Sequence, residues 1–176
     1  MTLHRALPIP TLRTARLTLR VPGPRDVTAM ARFYASARSS FVGGPKDPEG
    51  AWRQLATEIG HWTLRGYGRW MVDLADTAQT CGIVGLWNPE GWPEPEIGWD
   101  LFDGFEGHGY ATEAALATRD YAYGTLGWST VISLVNPQNT ASARVCARMG
   151  AVREGQVSRP HLGTLDVYRH PAPGGA

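Results

Sequence analysis

Residues 128–135, WSTVISLV, run almost without interruption through β-branched and aliphatic side chains. A strand with one wet face alternates apolar and polar residues, so an unbroken run describes a central strand buried on both faces. A sheet containing such a strand has to be covered above and below, which places helices on both of its faces.

The rest of the chain supplies those layers. RLTLRV, residues 16–21, sets Leu17, Leu19 and Val21 against Arg16, Thr18 and Arg20, the alternation of a strand with one wet face. Asp26 is placed to cap a short helix, VTAMARFYAS. The loop SSFVGGPKDPEG leads into a helix from about Ala51 to Leu64, ended by Gly66 and Gly68. RWMVDLA, then Cys81 to Trp87 (CGIVGLW), then EIGWDLF at 96–102 read as strands, the last two joined by NPEGWPEP. A helix to about Tyr123 precedes WSTVISLV. NPQNTASARVCARMG is a short helix with Asn139 as N-cap and Gly150 just past its C-terminus. AVREGQV and TLDVYRH close the chain as a hairpin. The order is strand, two helices, three strands, helix, strand, helix and two strands, which predicts an α/β (α+β) chain with a mixed sheet.

A length of 176 residues predicts one domain, and 43% apolar composition with seven tryptophans is enough for a substantial core. The formal net charge is +1 with no long run of one sign, which argues against a nucleic-acid binder working by bulk charge. Cys81 and Cys146 lie in apolar contexts outside any CxxC or Cys/His cluster, the setting of buried thiols in a reducing compartment. The N-terminal stretch has no uninterrupted apolar region and nothing else reaches a membrane span, so a soluble, cytoplasmic protein is expected, with residues 1–10 and 171–176 as loosely held ends.

EGHGYATEA, residues 106–114, puts two glycines at the point where a helix begins. Glycine serves a tight turn there, or it bares backbone N–H groups on which an anion can sit. Thr112 stands where a dinucleotide fingerprint has its third glycine, and the GK[ST] ending of a P-loop is missing. The motif does follow a predicted strand and open a helix, the setting in which free N–H groups and the helix dipole favour a phosphate.

At this point the chain resembles a known family. The stretch is similar to the Q/R-x-x-G-x-G/A signature of the GNAT superfamily of acetyl-CoA-dependent N-acetyltransferases, and GHGYATEA is similar to the branch that acetylates ribosomal-protein N-termini. LRTARLTLRV at 12–21, SSFVGG, EIGWDL and NPQNTASARVCARMGAV match further segments of that branch in order, so the resemblance spans roughly residues 12 to 170. Glu106 departs from the signature, which carries Arg or Gln at its position.

The resemblance implies a single GNAT acetyltransferase domain with a mixed, mostly antiparallel sheet of about 6–7 strands. It also implies acetyl-CoA as cosubstrate, an amine acceptor (a peptide N-terminus or a small molecule), no metal, no nucleic-acid or membrane partner, and a monomer or homodimer. Gly107, His108, Gly109, Tyr110, Ala111 and Thr112 would cradle the pyrophosphate through backbone N–H groups. Trp99, Asp100 and Leu101 would pair with the pantetheine arm, and Asn139 would touch it while also serving as N-cap. Glu96 is the first candidate for the base that takes the amine proton, with an exposed strand-edge carboxylate as the competing reading; Asp100, on the same side at period two, is the second. Ser142 matches the serine of the ribosomal-protein branch and would hydrogen-bond the sulfur or relay a proton, with a plain helix serine as the alternative. His108 reads as a cation flanking phosphate, and Glu113 as a structural carboxylate at a helix N-terminus. The rival expectation is a CoA-binding protein of the same fold without transferase activity, acting as a binding module.

Overall fold

A computed structural model describes residues 9–174. In chain order the elements are β1 (Leu12–Arg13), β2 (Leu17–Arg20), α1 (Val27–Ala35), α2 (Pro48–Arg65), β3 (Arg69–Leu74), β4 (Thr80–Trp87), β5 (Glu96–Leu101), α3 (Tyr110–Gly124), β6 (Ile132–Val135), α4 (Thr140–Arg148), β7 (Val152–Arg159) and β8 (Gly163–Arg169). One eight-stranded sheet runs β1-β2-β3-β4-β5-β6-β8-β7, and its neighbours pair antiparallel except β5 with β6. The eighth strand is the two-residue β1, which pairs with β2 at the sheet edge.

Strand alternation divides the core between the two faces. Leu17, Leu19, Trp70, Val72, Val84, Leu86 and Ile97 point to one side, where the small residues Ala111, Ala114 and Ala115 let α3 approach closely. Met71 and Ile83 point to the other side and meet Met30, Phe33 and Leu55 from α1 and α2. Trp70 is fully buried, packs edge-to-face on Trp62 at 4.8 Å, and donates its indole N–H to the Pro10 carbonyl at 2.7 Å. Pro10 and the core-packed Ile9 are thereby tied down at the start of the described chain. Of the ends expected to be loose, residues 1–8 and 175–176 lie outside the described residues.

The local signals act as their chemistry dictates. Asp47 caps α2 by accepting from the Gly50 N–H at 2.7 Å, Pro48 occupies the first turn, and Gly66 ends the helix in the left-handed region (φ 76). Asp26 precedes α1, but its carboxylate accepts from the Gly23 N–H and pairs with Arg20 instead of capping the helix. The run at 128–135 is strand only from Ile132; Trp128 and Val131 are apolar because they pack into the core. Both cysteines are free and buried, and among the described residues no helix is long and apolar enough to cross a membrane.

What positions the site is the β5–β6 seam. β6 pairs along its length with β8, yet meets β5 at the single register pair Glu96↔Ile132. Beyond that point the two parallel strands diverge, and the β6-facing edge of β5 past Ile97 has no strand partner.

Candidate active site

The divergent seam opens into a cavity of about 890 Å³. At one end lie the 107–112 turn and the start of α4, in the middle the open strand edges, and at the other end side chains from α1, α2, the β4–β5 loop and the β7–β8 turn. Among the predicted site residues it brings together Glu96, Trp99, Asp100, Leu101, Gly107, His108, Gly109, Ala111, Thr112, Asn139 and Ser142. Tyr110 is not on its wall. The tyrosine ring turns away, stacked on His108 at 5.4 Å with the Arg16 guanidinium 4.8 Å from its centroid, so only its backbone N–H can serve the turn.

At the first end, Gly107 (φ 79) and Gly109 (φ 82) take left-handed conformations that let the chain turn directly into α3. The first-turn N–H groups of α3 have no helical partner, and the buried Thr112 Oγ1 beside them has none either. That orphaned hydroxyl and the dipole-bearing helix start suit a phosphate. Glu113 holds the turn from behind: it accepts from Thr14 Oγ1 at 2.6 Å and from Arg16 N and Nε at 2.9 and 2.7 Å, while Arg16 Nη1 donates to the His108 carbonyl. Burial raises the Glu113 pKa, but these donors outweigh it and hold the carboxyl below its ordinary range. Glu106 does not project a bare negative charge at the turn. It is ion-paired with Arg38 and accepts from the Gly104 N–H at 2.8 Å, and Arg38 also reaches the Leu101 carbonyl and Asp103. The charge departure in the motif is thus compensated by a cation from another segment.

In the middle, Asn139 caps α4 by accepting from the Ser142 N–H at 3.1 Å, and Trp99 Nε1 donates to Ser142 Oγ at 3.1 Å. Because the serine oxygen accepts from the indole, its own proton is free to point elsewhere. Ser133 pins the mouth of the divergence: Oγ donates to the Ile97 carbonyl at 2.7 Å and lies 2.9 Å from His170 Nε2. With the hydroxyl proton spent on Ile97, the Nε2–H tautomer of His170 donates to Ser133. Burial and the nearby Arg119 charge push His170 down to about 4, so it stays neutral.

Glu96 stands at the same mouth, 9% exposed, with the Leu134 N–H 3.3 Å from Oε2 and no partner on Oε1. It is a buried carboxyl, not a surface one. Burial pushes its pKa up to about 7, against the opposing pull of Trp92, Arg69 and the Leu134 N–H. Asp100, two residues along the same face, is committed elsewhere: its Oδ2 accepts from Arg69 Nη1 at 2.8 Å. Arg69 also holds Glu58 through Nε at 3.1 Å and through Nη2, and Gln54 Nε2 donates to Glu58 at 2.8 Å. Although burial opposes the charge, the two carboxylates keep Arg69 ionised, well above its usual pKa. Sequence reading missed Glu58, Arg69, Ser133, His170 and Arg38. A signal existed for two of them: Glu58 falls three residues after Leu55 and four before Trp62 on the apolar face of α2, and Arg69 opens an otherwise apolar strand. Among the described residues no group of three or more His, Cys, Asp or Glu side chains could hold a metal ion.

The sequence profile of the acetyltransferase (GNAT) domain family matches residues 16–152. A solved acetyltransferase from Agrobacterium tumefaciens str. C58 is 43% identical and superposes with a TM-score of 0.85 over 92% of this chain and 94% of its own. YkkB of Bacillus subtilis (strain 168), an uncharacterized protein, is 30% identical over 149 residues, 79% of this chain and 83% of that protein. RimL, a ribosomal L7/L12 α-N-protein acetyltransferase solved in complex with coenzyme A, is 19% identical with a TM-score of 0.70 over 92% of this chain and 96% of its own, a likeness of fold.

Proposed function

The chain belongs to the acetyltransferase (GNAT) family, and from that premise we propose that it moves the acetyl group of acetyl-CoA to a primary amine by direct attack in a ternary complex. One observation carries this reading: a phosphate-suited turn and a half-free carboxyl, Glu96, lie at opposite ends of one strand divergence, joined by a continuous cavity. The bound RimL relative supports coenzyme A as the ligand of that cavity.

The backbone N–H groups from Gly107 to Thr112 and the Thr112 hydroxyl hold the pyrophosphate. Trp99, Asp100 and Leu101 offer their unpaired edge to the pantetheine amides, and a backbone N–H of that edge stabilises the negative charge growing on the thioester oxygen. His108 flanks the phosphates, and Asn139 orients the arm while capping α4. The ammonium of the acceptor has to lose a proton before its nitrogen can attack. Glu96, with a pKa of about 7, is ionised often enough at neutral pH to take it. As the C–N bond forms and the C–S bond breaks, the electron pair leaves with sulfur. Ser142, its proton unclaimed by Trp99, donates a hydrogen bond to the departing thiolate.

Coenzyme A at about one hundred times its dissociation constant should add about 2.7 kcal/mol of stability, a rise in Tm of roughly 5–10 °C for a chain of this size. Gly109→Val should remove most of that rise, because a branched side chain is strained at φ 82 and its Cβ would lie 3.5 Å from Arg16 Nη2, so the turn that presents the N–H groups would have to shift. An unshifted Tm at millimolar coenzyme A would sink the reading. Thiol release from acetyl-CoA across a panel of amines and N-terminal peptides tests the transfer itself. Binding with no release for any acceptor would leave a CoA-binding module without transferase activity.

A further inference from the structure

The end of the cavity beyond Glu96 has its own chemistry, and it bears on the acceptor. Its lining is ring-rich: Phe33, Tyr34 and Phe41 come from α1 and the turn after it, and Trp87 and Trp92 from β4 and the β4–β5 loop. The two indoles are held in place, Trp87 by His61 stacked at 4.7 Å and Trp92 by the Arg159 guanidinium 4.7 Å from its centroid. Most of the long polar side chains at this end are already satisfied. Gln54 is spent on Glu58 and Arg69 on Glu58 and Asp100, while Arg159 Nη1 donates to the Gly91 carbonyl and its buried Nε has no partner. The Glu96 carboxyl, on a side chain more than nine-tenths buried, lines the cavity with the Trp92 indole N–H as a polar neighbour. Arg69 pairs with both Glu58 and Asp100, and among the described residues no cation is bonded to the Glu96 carboxyl. A buried carboxylate without a bonded cation favours an incoming ammonium and opposes an anion.

We propose that the acceptor is a small primary amine with an apolar, ring-bearing body, its ammonium directed at Glu96 and its ring lodged among Phe33, Phe41, Trp87 and Trp92. The location of the amine rests on the transfer reading above; the ring preference rests on the walls. A peptide N-terminus is disfavoured because the amide next to its amine would be desolvated against rings with few open partners. A polyamine is disfavoured because its second ammonium would leave water for a ring-lined wall where Glu58 and Asp100 are already paired with Arg69.

The test gives the protein acetyl-CoA and compares 2-phenylethylamine with ethylamine, spermidine and an acidic peptide with a free α-amine, read as thiol release. The expected result is a kcat/KM for 2-phenylethylamine roughly tenfold or more above each of the others. Phe41→Ala, at a half-buried position, should shrink the ratio of 2-phenylethylamine to ethylamine. A preference for spermidine or the peptide overturns the proposal and leaves acetyl transfer standing. A second arm titrates 2-phenylethylamine into the coenzyme A-loaded protein and follows tryptophan fluorescence, which needs no turnover. Saturable binding weakened by Phe41→Ala, with no acceptor turned over, supports the ring site and sinks the transfer reading. With neither turnover nor saturation up to about 10 mM, the proposal falls.

Discussion

Glu96→Gln should lower the rate constant for acetyl transfer by roughly 10²–10⁴-fold, the usual contribution of a positioned base. Glutamine keeps the size of the side chain and can still accept from the Leu134 N–H, so coenzyme A affinity should hardly change. The pH profile identifies the cause. The active form of Glu96 is the carboxylate, present above about pH 7, so the wild-type rate should rise through that pH and fall about tenfold per unit well below it. The variant should lack this limb. Its deficit is greatest just above neutrality and narrows toward the acceptor's own pKa, about 8 for an α-amine and above 10 for an alkylamine. Rates within about threefold of wild type from pH 6 to 9 would reduce Glu96 to a structural carboxyl.

The same residue links pH to stability. Its folded pKa of about 7 exceeds the unfolded value of 4.5, so between these values the folded state binds the extra proton. Stability is therefore lost as pH rises from about 4.5 through 7, by roughly 3 kcal/mol for this group alone. Glu96→Gln should accordingly melt higher than wild type at pH 8 and close to it at pH 4. A substitution that lowers rate while raising stability is the mark of a residue whose burial serves the site and not the fold.

Much of this site was legible because its parts are local. EIGWDL carries Glu96, Gly98 and Asp100 on one face by strand period alone, and GHG followed by helix formers marks both the turn and the start of α3. Asn139 was readable as a cap because its partner, the Ser142 N–H, is three residues away. The illegible parts join distant segments. Glu106 read only as a departure from the signature, because the cation that answers it, Arg38, comes from a turn before α2. The ring of Tyr110 could not be assigned a direction until Arg16 and His108 claimed it. Ser133 and His170 lie 37 residues apart and meet only because β8 inserts beside β6. WSTVISLV overstated its strand because Trp128 owes its apolar character to packing with Tyr67, at 4.8 Å, and not to pairing.

Arg69→Met is the sharper test of how the acceptor end is built. Arg69 is buried and is the guanidinium bound to both Glu58 and Asp100, themselves nearly inaccessible to water. Methionine fills much of the volume and leaves two carboxyls facing each other without a cation. Removing one partner of a buried ion pair costs about 3–5 kcal/mol, so Tm should fall by roughly 6–20 °C for a chain of this length. The loss should depend on pH. Without Arg69 the Asp100 carboxyl, which burial already raises, takes up a proton more readily in the folded state, so the variant should recover part of its stability as pH falls from 7 toward 5. Adding Glu58→Gln and Asp100→Asn to Arg69→Met removes the unpaired charges and should restore most of the melting temperature, which separates charge from packing. In the single variant the rate limb of Glu96 should also move to higher pH, because the Arg69 charge that favours the Glu96 carboxylate is gone while Asp100 still opposes it. A single variant as stable as wild type, or a triple variant no better than the single, would show that the Glu58–Arg69–Asp100 group is not held together by charge. That part of the lining, where the Arg69 guanidinium lies 5.2 Å from the Trp87 ring centroid, would then be a packing surface, and the paired carboxyls would not set the charge preference at Glu96.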